Sequence, residues 1–391
     1  MQIGIDASRA FLARRTGIEE YSYRLISHLR GPLRDERVVL YVRDGQEPDF
    51  ALPVSWSVRT LRAPRLWTQG RLSIEMLLHR PDVLIVPAHT VPIIHPKRTI
   101  VVVHGLEYEC SPESYSAWER FSMRLIIRFS VRVAERVVAV SENTKRDLMR
   151  LYRVPGEKIT VVYEGRPDKN QELGIRNKEA GRGHGESERP MSRDFLPTTR
   201  NVLWEGGQAF VGNPYILFVG RIEKRKNVRR IVEAFDILKR DHNIPHRLVL
   251  IGRPGYGYTE AEEAIRASDF RSDIVETGYV SEAEKSALLR DADVFVFPSL
   301  YEGFGLPVVE AQAAGVPVVT SRTSSLPEVA LDGAVLVDPL DPASIATGIM
   351  RIVSDDGFRD AILQRGRKNV ERFDWDSCAA AVADLSKDRN G

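Results

Sequence analysis

The chain has 391 residues, 43% apolar and 28% charged, which suits a soluble globular protein with more than one hydrophobic core and excludes a disordered or fibrous one. A formal net charge of +2 provides no overall drive toward nucleic acid. Two cysteines in no Cys-x-x-Cys spacing point to neither a disulfide framework nor a zinc site, and are expected in a reducing cytoplasm.

The opening MQIGIDASRA lacks a basic stretch followed by a long apolar one, so no signal peptide is expected, and no apolar run reaches membrane-spanning length. Short runs rich in Val and Ile recur instead, at Gln2–Ile5, Val38–Val42, Val83–Val86, Ile100–Val103, Val137–Val140 and Ile159–Tyr163. Apolar throughout, they are expected to be parallel strands covered by helices on both faces. A second set follows at Tyr215–Val219, Leu248–Ile251, Val294–Phe297, Val316–Val319 and Ala334–Val337. Between strands the apolar spacing turns helical, as at Val228, Ile231, Val232 and Phe235, with Asn227 placed as an N-cap. Ser281 and Glu284 have the spacing of a capping box, and so do Ser325 and Glu328, which predicts a helix start at each.

The rhythm breaks across 166–212, a polar, Gly-rich stretch read as a linker or insertion. The expected organisation is an α/β protein of two facing Rossmann-like domains, 1–165 and 213–372, with 373–391 forming a helix that can return to the first. The first 165 residues carry 25 Lys/Arg against 19 Asp/Glu, so the first half is the basic one. Arg120, Arg124, Arg128, Arg132 and Arg136 recur every fourth residue beside Trp118, Phe121 and Met123. On a helix they form a slanted basic stripe, read either as an ordinary solvated face or as a contact for anionic lipid at the inner face of the cytoplasmic membrane.

Ligands of doubly wound sheets sit beyond the carboxyl ends of the strands. After Tyr215–Val219 comes Gly220, then Arg221 and Lys226, two cations placed to meet phosphate oxygens near a helix start. After Val294–Phe297 comes a loop with Glu302, Gly303, Phe304, Gly305 and Leu306, then Pro307 and Glu310. Glycines there let backbone N–H groups approach an anion, while the two carboxylates suit sugar hydroxyls.

These motifs, with FVGRIEKRKN, LVLIGRPG, LYEGFGLPVVEAQAAGVPVV and RFDWDSCAA, resemble the retaining GT-B glycosyltransferases, in particular the family 4 group. The resemblance covers nearly all of the second half and the first half more loosely. It implies transfer of a hexose from a GDP- or UDP-sugar to a glycan or lipid-linked acceptor, with no cofactor and no bound metal. It places Arg221 and Lys226 on the donor diphosphate, Glu302 at the donor sugar with the backbone of Gly303 to Leu306, and Glu310 on the ribose. Arg253, Tyr279 and Val280 fall at the base pocket. Gly17, in TGIEEY, matches a phosphate-proximal loop that has a second glycine in relatives, and His104 matches a histidine at the sugar end. His89 is an acceptor-side candidate. Mannosyl-type relatives with a similar TGxxxY loop make GDP-mannose the first expectation.

Two Asp-x-Asp patterns, at Asp291 and Asp374, precede a strand and open a helix, so neither is read as a metal site. An epimerase on the same scaffold, a nicotinamide dehydrogenase and a non-catalytic sugar-binding relative are the competing readings. No Gly-x-Gly-x-x-Gly follows the first strand to support the dehydrogenase.

Overall fold

A computed structural model of the chain describes residues 1–12, 15, 17–63, 66–167 and 214–388. Apart from its first two residues, the stretch read as a linker, 166–212, lies outside the described residues, as does Thr16.

Two parallel sheets carry the architecture. The first contains β1 (Gln2–Asp6), β2 (Arg37–Arg43), β3 (Trp56–Leu61), β4 (Val83–Val86), β5 (Arg98–Val103), β6 (Arg136–Ala139) and β7 (Ile159–Val161) in the order β3-β2-β1-β4-β5-β6-β7. The second contains β8 (Tyr215–Val219), β9 (Arg247–Ile251), β10 (Ile274–Gly278), β11 (Val294–Phe297), β12 (Val318–Ser321) and β13 (Ala334–Val337) in the order β10-β9-β8-β11-β12-β13. Both orders reverse beside the first strand of the unit, between β1 and β4 and between β8 and β11, which opens a crevice at each carboxyl edge.

Helices bury both faces of the sheets. Val83–Val86 and Val294–Phe297 are buried at every position, which explains why their sequences are apolar without alternation. One apolar core covers a face of the first sheet and continues through the second sheet to Phe373 and Trp375. A smaller core, with Trp67, Leu72, Tyr108 and Ile127, covers the other face of the first sheet.

The final helix, Trp375–Lys387, lies against the helix Gly17–Leu29 of the first sheet. Trp375 meets the edge of Tyr21 with ring centroids 5.6 Å apart, Asp376 accepts from His28 at 2.7 Å, and Lys387 donates to the Pro32 carbonyl at 2.8 Å. The chain therefore leaves the second unit to finish on the first.

Three local expectations are corrected. Ser281 and Glu284 form the reciprocal capping box, and a helix, Leu326–Ala330, does start after Ser325 as expected, but there Ser325 makes no cap and Glu328 reaches elsewhere, as described below. Asn227 precedes the helix Val228–His242 in a left-handed conformation without capping it. Its side-chain amide is drawn instead to the carbonyls of Pro298 and Pro339, two buried acceptors that need a donor. The arginine stripe is cut short, because the helix Ala117–Val133 ends before Arg136, which starts β6 and pairs with Asp388. Helical drift turns Arg124 onto Glu109, at 2.6 Å, and sets Arg128 over the Tyr152 ring. Among the described residues no helix is long and apolar enough to cross a membrane.

Candidate active site

The loops after β8 and β9 zip together beyond the second sheet. The Ile222 N–H donates to the Arg253 carbonyl, and the Gly255 N–H to the Ile222 carbonyl. The approach is close enough that a Cβ on Gly252 would stand 1.8 Å from the Gly220 carbonyl oxygen, so position 252, at φ +151°, admits only glycine. Arg221 leaves this junction as an exposed cation for which no polar partner is found among the described residues. Arg253, also exposed, lies over the Tyr279 ring at 5.0 Å, and Val280 beside it is buried. The structure thus brings together the residues expected at the base pocket.

Lys226 differs from Arg221. Its ammonium donates to Glu302 Oε1 at 2.6 Å and sits over the Phe297 ring at 4.7 Å. Glu302 Oε1 also takes Arg225 at 2.9 Å and the Ser299 hydroxyl at 2.5 Å. Burial alone would raise the Glu302 carboxyl, but the Arg225 and Lys226 cations overcome it and hold it down at about 2. Burial pulls the Lys226 ammonium below its ordinary value despite Glu302. Arg225 was not singled out in the sequence. It is buried, donates to the Tyr301 carbonyl at 2.6 Å and pairs with Glu223 at 2.8 Å. Its signal lay only in being a third cation in a loop where two had already been assigned.

Glu310 stands one turn into the helix Leu306–Ala313 with Lys285 3.3 Å away, and Lys285 is shared with Glu282 at 2.8 Å. Burial pushes the Glu310 carboxyl up, and Glu20 of the first unit is among the carboxylates that raise it further. At the start of the helix Gly17–Leu29, Gly17 is exposed, and a Cβ there would meet no protein atom within 4 Å.

His104, after β5, is less available than its sequence position implies. Its Nε2 is 2.8 Å from the Pro87 carbonyl and its Nδ1 3.5 Å from Glu164, with the Tyr21 ring packed edge-on at 4.5 Å. His89, after β4, is pushed down to about 3 by burial, with His104 and Arg9 adding like charge.

Gly303 joins the two units. A Cβ there would fall 1.4 Å from the His104 carbonyl oxygen, so the loop after β11 touches the loop after β5 backbone to backbone. Its carbonyl accepts from Ser141 Oγ at 2.5 Å and from Thr144 Oγ1 at 3.1 Å, both at the start of the helix Glu142–Tyr152. Tyr301 donates to Asp147 on the same helix at 2.7 Å. Glu328 accepts the N–H groups of Glu142 and Asn143 at 2.7 and 3.1 Å, a carboxylate at the positive end of a helix. Ser325, freed from capping, donates to the carbonyls of Glu302 and Phe304 at 2.9 and 2.6 Å.

Two Rossmann-like units that meet through the loops at their strand ends, with cations, carboxylates and a Gly-rich loop gathered there, form the GT-B architecture. Residues 205–369 match the family model for glycosyl transferases group 1, and residues 15–168 match that for glycosyltransferase family 4. The chain belongs to this family. It is 27% identical over 293 residues to O-antigen chain mannosyltransferase B of Escherichia coli, covering 74% of this chain and 70% of that one. It is also 31% identical over 261 residues to a D-inositol 3-phosphate glycosyltransferase of Xylanimonas cellulosilytica, covering 65% and 57%. In fold it resembles sucrose-phosphate synthase of Thermosynechococcus elongatus, with a TM-score of 0.71, 18% identity, and 99% and 98% of the two chains covered. Anabaena HepE, solved with UDP-glucose, gives a TM-score of 0.68 at 16% identity, covering 99% of each chain.

Proposed function

We propose that the protein is a retaining, metal-independent hexosyltransferase that moves a hexose, first of all mannose from GDP-mannose, onto a glycan or lipid-linked acceptor. The observation that carries this reading is the carboxyl edge of the second sheet, where the exposed Arg221, for which no polar partner is found among the described residues, the Lys226–Glu302 pair and a Gly-rich loop lie at neighbouring strand ends. Arg221 and Lys226 take the charge of the departing diphosphate, so these side chains supply what a metal would otherwise supply. Glu302, kept ionised by its two cations, meets the donor sugar hydroxyls. Glu310 meets the ribose, with Lys285 behind it, and Arg253 and Tyr279 flank the base.

In transfer the bond from the sugar C1 to the diphosphate oxygen breaks, and the acceptor oxygen joins C1 on the same face. The acceptor proton passes to a leaving phosphate oxygen. His104 serves as a positioning group, since both ring nitrogens already have protein neighbours. The mannose assignment is supported by the Escherichia coli relative. Calorimetric titration with GDP, UDP, GDP-mannose and UDP-glucose, in EDTA, tests the reading. Micromolar binding of a sugar nucleotide that disappears in Arg221→Ala is expected, and no binding by folded protein would overturn it.

We further propose that the first unit docks on an anionic membrane, the cytoplasmic inner face being the expected location. Support comes from the outer face of the helix Ala117–Val133, which leaves Trp118 73% exposed, along with Phe121 and Leu125, and continues into exposed Arg128 and Arg132. Sedimentation with phosphatidylglycerol vesicles should be lost on Trp118→Ala with Phe121→Ala and Arg128→Glu. Unchanged sedimentation would refute it.

A further inference from the structure

The loop 302–305 is anchored in an unusual way. The Glu302 and Phe304 carbonyls are held by Ser325 from the second unit, and the Gly303 carbonyl between them by Ser141 and Thr144 from the first. Each of the three carbonyls is thus tied to a hydroxyl. By contrast, no hydrogen-bond partner is found among the described residues for the backbone N–H of Gly303, Phe304 or Gly305, although all three residues are buried. Buried N–H groups left unpaired are costly, and a run of them forms a cradle for an anion or a sugar oxygen.

A trans peptide unit points its C=O and its N–H in opposite directions. No peptide in the described chain is cis. The Gly303 carbonyl and the Phe304 N–H belong to one such unit. Fixing the carbonyl on Ser141 and Thr144 therefore fixes the Phe304 N–H, turned away from the helix end that holds the carbonyl. Both lone pairs of that carbonyl are used, so the unit cannot flip without breaking two hydrogen bonds that are wholly buried.

We infer that Ser141 and Thr144, though they belong to the acceptor-side unit, are positioning residues for the donor: they orient the Phe304 N–H toward the distal phosphate or the sugar of the nucleotide sugar. The inference rests on the transferase reading above. It makes donor binding depend on the contact between the two units, so a molecule whose cleft has opened would hold a nucleotide but grip its sugar end poorly.

The test compares UDP-glucose and GDP-mannose with UMP and GMP, which end at the first phosphate, by calorimetry on the full chain. Thr144→Val removes one hydroxyl in nearly the same shape, Ser141→Ala with Thr144→Val removes both, and Thr144→Ser restores one. A tenfold or greater loss of sugar-nucleotide affinity in the double variant is expected, with monophosphate binding changed less than twofold and Thr144→Ser close to wild type. Equal loss for both ligand classes would reduce the two hydroxyls to a fold-maintaining role and overturn the inference. Wild-type sugar-nucleotide binding that the double variant keeps would also overturn it, leaving the transferase reading intact. Failure of the wild type to bind any of the four ligands would overturn both.

Discussion

Arg221 and Lys226 stand five residues apart under opposite constraints. Arg221 is an exposed charge for which no polar partner is found among the described residues, whereas Lys226 is held between a carboxylate and an aromatic ring. Arg221→Ala should shift stability by less than about 0.5 kcal/mol in urea unfolding and still lower donor affinity. Lys226→Ala should cost about 2–4 kcal/mol as well, because it removes one partner of a buried charge. Glu302 gives a pH test of the same cluster. Its carboxyl is held at about 2, below the ordinary 4.5, so its stabilisation is complete above about pH 4.5 and is lost as pH falls toward 2. Glu107 and Glu310, both raised by burial, act in the other direction, so the wild-type profile is a sum. The difference between wild type and Glu302→Gln isolates the residue: about 3 kcal/mol at neutral pH, shrinking as pH drops through that window in denaturant titrations.

At the scale of elements, the strands that declared themselves were those with a run rich in Val and Ile, whether buried at every position, as in Val83–Val86 and Val294–Phe297, or at a sheet edge, as in Ala334–Val337. The two that went unread, β3 and β10, are edge strands in which Arg59 and Glu276 interrupt the apolar run, whereas the other edge strands, β7 and β13, keep theirs. The site was legible wherever chemistry falls at a strand end in sequence, as with Arg221, Glu302 and Glu310. It was not legible where a side chain serves a distant backbone. Ser325 and Glu328 have the spacing of a capping box, yet Ser325 serves a loop of its own unit and Glu328 a helix of the other, and Ser141 has the look of an ordinary N-cap while it also holds Gly303 of the other unit. Spacing along one segment carries no information about a partner 160 residues away. The closing helix gives the element-scale prediction. Trp375 is buried against Tyr21, and its backbone N and ring atoms lie within 2.5 Å of where a Gly165 side chain would begin. Trp375→Ala should cost about 3–5 kcal/mol in chemical denaturation, and Gly165→Ala should destabilise as well.

Across the whole molecule, the contact between the units is narrow at its centre and dictated by backbone. Gly303 against the His104 carbonyl leaves no room for even one methyl group. Gly303→Ala should therefore push the two units apart, seen as a larger radius of gyration in small-angle scattering and a donor affinity reduced tenfold or more, with each sheet still folded by circular dichroism. An unchanged scattering profile would mean that the loop yields instead of the interface. Glu328→Ala, which removes the carboxylate capping the facing helix, should open the molecule less, because Ser141, Thr144 and Asp147 remain in place.

The return of Trp375–Lys387 to the first unit also decides how this protein can be recombined with its relatives. A donor-side half exchanged from residue 214 to the end would carry a foreign helix onto Tyr21, His28, Pro32 and Arg98, the surface its own last helix now covers. Cutting instead at 214 and again near 373 would transplant donor specificity and leave that surface matched. The heritable module is thus an interior segment of the chain rather than its second half, and a functional chimera should need two junctions where the two-sheet architecture suggests one.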